Sequence, residues 1–178
     1  MALPREYTAE SCPIARSLEI VGERWTLLVV RDAFYGVRRF SDFRAHLGIP
    51  KAVLSERLSL LVDEGVLTKA AGGRGRDEYV LTPKGQRLWP IIWSLASWGN
   101  ENYVERAHRR GYRHADCGGT IGPERVCSTC GLLPQVADLV VHPPRGRRDR
   151  DGRDDAVSKA LRQPHRMLEP IPPAGSSA

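Results

Sequence analysis

Residues 40–65 read FSDFRAHLGIPKAVLSERLSLLVDEG, and this stretch decides the fold. Phe40-Ser41-Asp42-Phe43 starts a short helix, with Ser41 as the expected cap and Phe43 and Leu47 pointing inward. Gly48-Ile49-Pro50 is a tight turn. A second helix runs from about Lys51 to Glu64 and is closed by Gly65. Two helices joined by a short glycine-containing turn make a helix-turn-helix. At 3.6 residues per turn, Leu54, Leu58 and Leu61 share one face and pack on the body. Ala52, Ser55, Glu56 and Ser59 share the other. Apart from Glu56 these are small or neutral, and short side chains let a helix approach base edges in a major groove. Lys51 lies at the N-terminal end, where free amides favour a phosphate, and Arg57 on the flank can reach the backbone. Taken alone, the helix is equally an ordinary amphipathic surface helix.

The flanks make the pattern more specific. Downstream, Val66–Ala70 reads as a strand, Gly72–Arg76 as a flexible basic loop and Tyr79-Val80-Leu81 as the returning strand. Arg74 and Arg76 at the tip of such a hairpin suit a minor groove or phosphates, the alternative being a solvated turn. Thr82-Pro83 then opens a long helix to about Tyr103, which Pro90 should kink. Leu88, Trp89, Ile91, Ile92, Trp93, Leu95, Ala96 and Trp98 are apolar on nearly all its sides. One stripe covers the body, and the rest needs a second protomer or the segment after Tyr112. Upstream, Ser11 is expected to cap a helix with Pro13 in its first turn, followed by a central helix from about Arg24 to Tyr35.

Cys12-Pro13-Ile14, the run from Val21 to Leu28, Arg39–Phe43, Gly48–Pro50, Leu54–Leu58 and Tyr79–Gly85 resemble HxlR-type winged helix-turn-helix regulators of the MarR-like superfamily. The resemblance covers about residues 7–107. It implies a homodimer that binds double-stranded DNA at a palindromic operator, with Lys51–Glu64 in the major groove and half-sites about one helical turn apart. The family implication is a repressor that answers a small-molecule or redox signal. Members of the family sense electrophiles and oxidants through an N-terminal cysteine, and Cys12 matches that position. Its place in a first helical turn favours a thiolate, while a small buried packing residue is the bland alternative.

The remaining cysteines define a second element. His114 and Cys117, then Cys127 and Cys130, form two knuckle-like pairs. Three thiolates and an imidazole suit a closed, structural zinc site in residues 112–141. His108 competes with His114 for the fourth position, and a redox dithiol of Cys127 and Cys130 is the other reading. Residues 142–178, with six of the thirteen prolines, read as a disordered Pro/Arg/Asp-rich tail, with a transient helix near Ala156–Arg162. The expected fold class is therefore mainly α with a small β-hairpin: a winged helix-turn-helix, a small zinc-knuckle-like segment and a disordered tail.

Charge contributes little to this. The net +6 is spread so that residues 1–102 carry 14 basic and 12 acidic side chains. The motifs, not the global charge, point to nucleic acid. The absence of any apolar run of spanning length and of a leader implies a cytoplasmic, nucleoid-associated protein. No catalytic carboxylate pair, nucleophile motif or phosphate loop appears, so no enzyme is expected. A zinc-bearing protein–protein adaptor on a winged-helix scaffold is the competing class.

Overall fold

The computed structural model describes residues 11–73, 76–146 and 154–172. Helix α1 spans Pro13–Val21, α2 Arg24–Phe34, α3 Phe40–Leu47 and α4 Lys51–Asp63. Strand β1 (Leu67–Ala71) pairs antiparallel with β2 (Asp77–Leu81), in a register set by Leu67 opposite Leu81 and Ala71 opposite Asp77. Helices α5 (Pro83–Gln86) and α6 (Trp89–Tyr103) follow. The chain is thus mostly helical, with the hairpin of a winged helix after its third and fourth helices.

The core explains the order. Val29, Val30 and Phe34 of α2, Phe43 of α3 and Leu54, Leu58 and Leu61 of α4 are fully or almost fully buried in one cluster. Gly48 ends α3 in the left-handed region, at φ 64°, which turns the chain sharply into α4. A polar tie accompanies the apolar one. The buried Asp32 carboxylate accepts hydrogen bonds from Arg31 at 2.7 and 3.0 Å and pairs with the His46 ring at 2.7 Å. That ion cluster joins α2 to α3. A buried carboxylate is tolerated only with such partners.

Three helix boundaries differ from expectation. Cys12, not Ser11, stands at the N-cap of α1 and makes no side-chain cap bond; Pro13 at the first position has no amide that needs one. The cap of α3 lies two residues earlier than expected, on Arg39, so Ser41 lies inside the helix and donates to Asp42 instead. The long helix after Thr82 is two helices. The chain turns at Arg87–Leu88, and Pro90 sits in the first turn of α6. There its missing N–H costs nothing, so proline starts a helix rather than kinking one.

A second sheet lies beyond α6. Strand β3 (Gly111–His114) pairs with β4 (Leu139–His142), which pairs with β5 (His165–Arg166), all antiparallel. Trp89 and Trp93 of α6 pack edge-on against Tyr112 of β3, with ring centroids 5.9 and 5.0 Å apart. The Trp93 indole donates to the Pro123 carbonyl at 2.7 Å.

The C-terminal stretch is not a disordered tail over its described part. Helix α7 spans Ala156–Ala160, capped by the Asp155 carboxylate on the Ser158 amide. Val157, Leu161, Met167 and Ile171 are buried in the same core as the winged helix. The average composition hid this because these apolar residues are few, yet each of them is used. Residues 147–153 and 173–178 of that stretch lie outside the described residues. Among the described residues, no helix is long and apolar enough to cross a membrane.

Candidate nucleic-acid interface and metal centre

Helix α4 divides along the expected line. Leu54, Leu58 and Leu61 face the core, while Lys51, Ala52, Ser55, Glu56 and Ser59 are exposed. The helix has no side-chain cap at Pro50. Its first amides therefore stay free, beside Lys51, to meet an anion. Arg57 is placed differently from its expected role. Its side chain is largely buried and ion-paired to Glu56 at 2.5 Å, so it does not stand free on the flank. Arg76 is exposed at the start of the returning wing strand; Arg74 lies outside the described residues. A cleft of about 150 Å³ opens between β2 and Leu168, with Arg38 and Gln86 on its walls.

Cys12 is exposed at the N-cap of α1, in extended backbone, rather than buried as a packing residue. It is remote in sequence from the other three cysteines, and no disulfide joins any of the four.

His114, Cys117, Cys127 and Cys130 converge, with all four ligand atoms within 4.8 Å of one another. His114 ends β3, opposite Leu139, and Cys117 follows one turn later. Gly119 then runs against the opposing knuckle: a β-carbon there would lie 2.4 Å from the Cys127 sulfur. Only glycine lets the two knuckles approach this closely. The Cys130 and Thr129 amides donate to the Cys127 sulfur and hold its thiol down to about 6. Cys117 goes the other way. The Gly119 amide pulls it down, but Cys127, burial and Cys130 outweigh that and leave it raised.

The donor set fits a tetrahedral ion. Zinc with sulfur at about 2.3 Å and nitrogen at about 2.0 Å separates its ligand atoms by roughly 3.5–3.8 Å. Here Cys117 and Cys130 sulfurs lie 3.4 and 3.3 Å from His114 Nδ1, and Cys117 lies 3.4 Å from Cys127. The other imidazole nitrogen of His114 faces Asp116 at 3.6 Å. A carboxylate in that position fixes a metal-bound ring. His108 is not in the cluster; it pairs with Glu105 at 3.3 Å. Four protein donors leave no open position, which is the pattern of a structural ion and not of a hydrolytic one.

Sequence reading missed the Asp32–His46–Arg31 cluster, because His46 and Asp32 stand 14 residues apart. Only the α2–α3 packing brings them together.

A buried helix-turn-helix, a wing and an exposed polar face on α4 define a winged-helix DNA-binding class. Comparison with known proteins makes this specific. The model of the HxlR-like helix-turn-helix family matches residues 20–107. An uncharacterized HTH-type transcriptional regulator of Mycobacterium tuberculosis is 41% identical over 133 residues, covering 72% of this chain and 82% of that protein. YvaP of Bacillus subtilis, also described as an uncharacterized HTH-type transcriptional regulator, is 37% identical over 97 residues, covering 52% and 90%. The crystal structure of PA1607, described only as a candidate transcription factor, superposes with a TM-score of 0.57 at 33% identity, covering 79% of this chain and 96% of that one. The chain belongs to the HxlR-like family of helix-turn-helix transcriptional regulators.

Proposed function

We propose that the chain is a homodimeric, sequence-specific repressor that binds a palindromic DNA operator and carries a structural zinc ion. The observation that carries this reading is helix α4. Three leucines clamp it to the core while Ala52, Ser55 and Ser59 leave a low, polar outer face suited to base edges. Lys51 and the free amides beside it take a phosphate, Glu56 accepts from a cytosine amine, and Arg74 and Arg76 hold the backbone or minor groove beside it. Arg57 serves by locking Glu56 in place rather than by reaching the phosphates. Residues 7–107 form the DNA-binding and dimerising unit and 112–141 the zinc unit.

An uncovered apolar stripe supports dimerisation. Ile91, Leu95 and Trp98, at helical spacing on α6, are 44, 48 and 57% exposed, and Ile14 and Leu18 of α1 are 69 and 52% exposed. A stripe on both terminal helices suits a two-fold partner with the same stripe. His114, Cys117, Cys127 and Cys130 hold the zinc, and the protein works in the cytoplasm on the nucleoid. Release follows a signal at the exposed Cys12 thiol or a small molecule in the cleft beside Arg38. For Cys12, mild oxidation lowers operator affinity in the wild type and leaves Cys12→Ser unaffected. Equal responses in both assign the sensing elsewhere.

A salt titration of binding to random duplex tests the class. DNA affinity falls steeply with salt, because each phosphate contact releases condensed counterions. Arg76→Ala weakens binding on every sequence and lowers the salt slope by about one, whereas Ser55→Ala or Ser59→Ala changes the preferred site instead. A chain with no salt-dependent duplex binding is an adaptor on a winged-helix scaffold, and the reading fails.

A further inference from the structure

A continuous route runs from the metal ligands to the helix-turn-helix. His114 ends β3 and pairs with Leu139 at the start of β4. Strand β4 pairs with β5, Val140 opposite Arg166 and Val141 opposite His165, and the Met167 amide donates to the Leu139 carbonyl at 2.9 Å. The next residues leave the sheet and grip the winged helix. The Leu168 amide donates to the carbonyl of Phe34, the last residue of α2, at 2.9 Å. The Ile171 amide donates to the Gly36 carbonyl at 3.0 Å. Gly36 has φ 82°, and a β-carbon there would lie 1.6 Å from the Glu169 carbonyl oxygen, so this C-terminal segment, a strap of residues 154–172 that includes α7 and β5, runs directly over bare backbone.

Side chains fasten the same route. Met167 and Ile171 of the strap and Val157 and Leu161 of α7 are at most 4% exposed. They enter the cluster that also holds Phe34, Phe43, Leu54 and Leu58. Helix α7 packs on α3, the helix that precedes the recognition helix. Arg110 at the head of β3 donates to the Leu161 carbonyl at 3.1 Å, and Arg166 donates to the Ala137 carbonyl at 2.8 Å. The strap is therefore held at one edge by the metal-bearing sheet and at the other by α2 and α3.

We infer that the strap, residues 154–172, is a metal-dependent brace that positions the recognition helix, so that DNA affinity follows metal occupancy although no ligand need touch DNA. This rests on reading the four ligands as a zinc site. With the ion bound, β3 and β4 are ordered and β5 has an edge to pair with. With the ion removed, the connection between β3 and β4, which buries only the side chains of Ile121, Cys127 and Val136, loses its anchor, and the β3–β4 pairing that it closes loosens. Strand β5 then loses its partner, and Leu168 and Ile171 leave α2. Helices α2 and α3 keep their mutual packing but lose the α7 and strap side chains against them, and α4 loses its fixed seat. Met167 and Ile171 are positioning residues in this scheme.

The test uses the full chain and follows three readouts together: zinc content, duplex affinity, and hydrogen exchange at the Leu168 and Ile171 amides. Zinc-loaded wild type is compared with chelator-stripped wild type and with zinc-loaded Ile171→Asp and the milder Ile171→Ala. Stripping is expected to lower affinity tenfold or more and to deprotect both amides, with the far-UV signal of α1–α6 largely kept. Ile171→Asp keeps near one zinc per chain and shows a similar loss, Ile171→Ala a partial one. Stripping the Ile171→Asp variant then adds little, because both changes act through one element. Stripped wild type that binds duplex as tightly as loaded protein overturns the coupling while leaving the zinc reading intact. Zinc-loaded Ile171→Asp with helices folded and unchanged affinity does the same. Protein that neither contains nor takes up zinc overturns the zinc reading and the coupling with it.

Discussion

Cys127→Ser is expected to remove the metal and to unfold the chain between β3 and β4. Cys127 is a buried member of the four-residue cluster, and its backbone also organises the knuckle: its amide donates to the Leu132 carbonyl at 2.8 Å, and its carbonyl accepts from the Gly131 amide at 3.0 Å. Between Cys117 and Leu139 only Ile121, Cys127 and Val136 are buried apolar side chains. That is too little core to stand alone, whereas a structural zinc ion contributes about 10–16 kcal/mol to the folding of small zinc peptides. Serine offers a poorer ligand and breaks a closed four-donor set. Elemental analysis is expected to fall from near one zinc per chain to below about a tenth of that. Hydrogen exchange is expected to deprotect the Cys127, Ser128 and Gly131 amides, while those inside α2 and α4 stay slow. Cys12→Ser, outside the cluster, keeps the metal. Full protection of the knuckle amides in Cys127→Ser would show that packing alone folds the segment.

The second large effect is on assembly. Leu95→Glu combined with Trp98→Glu places two acidic groups on the exposed stripe of α6, and a two-fold interface doubles them. Neither side chain is in the core, so the monomer fold is kept; Trp89, Ile92 and Trp93 on the opposite face hold α6 to the body. The proposed dimer would lose the burial of two large apolar side chains per protomer, at about 1.5–3 kcal/mol each, and gain like-charge repulsion. Its dissociation constant is expected to rise about a thousandfold or more. Operator affinity is expected to fall by about 10²–10⁴, since two linked half-site contacts become one. Sedimentation and duplex anisotropy measure the two quantities. A wild type that is already monomeric, with the double variant binding DNA equally well, would remove the stripe from the assembly.

Much of the winged helix was legible because its signals are periodic or local. Leu54, Leu58 and Leu61 recur at helical spacing, Gly48 marks a left-handed turn, and Thr82-Pro83 caps a helix. The cysteine–histidine cluster was legible for a different reason. Cysteine and histidine pairs at knuckle spacing are rare outside such sites, and Gly119 between them allows the close approach that the sulfurs need. What escaped depended on distant packing. Asp32 and His46 meet only because α3 crosses α2. Arg57 reads as a surface cation until its helix neighbour Glu56 captures it. The strap was hidden most completely: Val157, Leu161, Met167 and Ile171 are diluted among Arg, Asp and Pro, and a window average sees a polar segment. Their burial comes from a groove that α2, α3 and β4 supply, and no local pattern records it.

The central claim is that α4 and the wing read a symmetric DNA site. Selection of bound sequences from a random duplex pool by the zinc-loaded full chain tests it most directly. The account predicts a palindromic consensus with half-site centres about one helical turn apart. The pattern should weaken at particular positions for Ser55→Ala and uniformly for Arg76→Ala. A pool that emerges without enrichment, or an asymmetric single site bound by one chain, would contradict it.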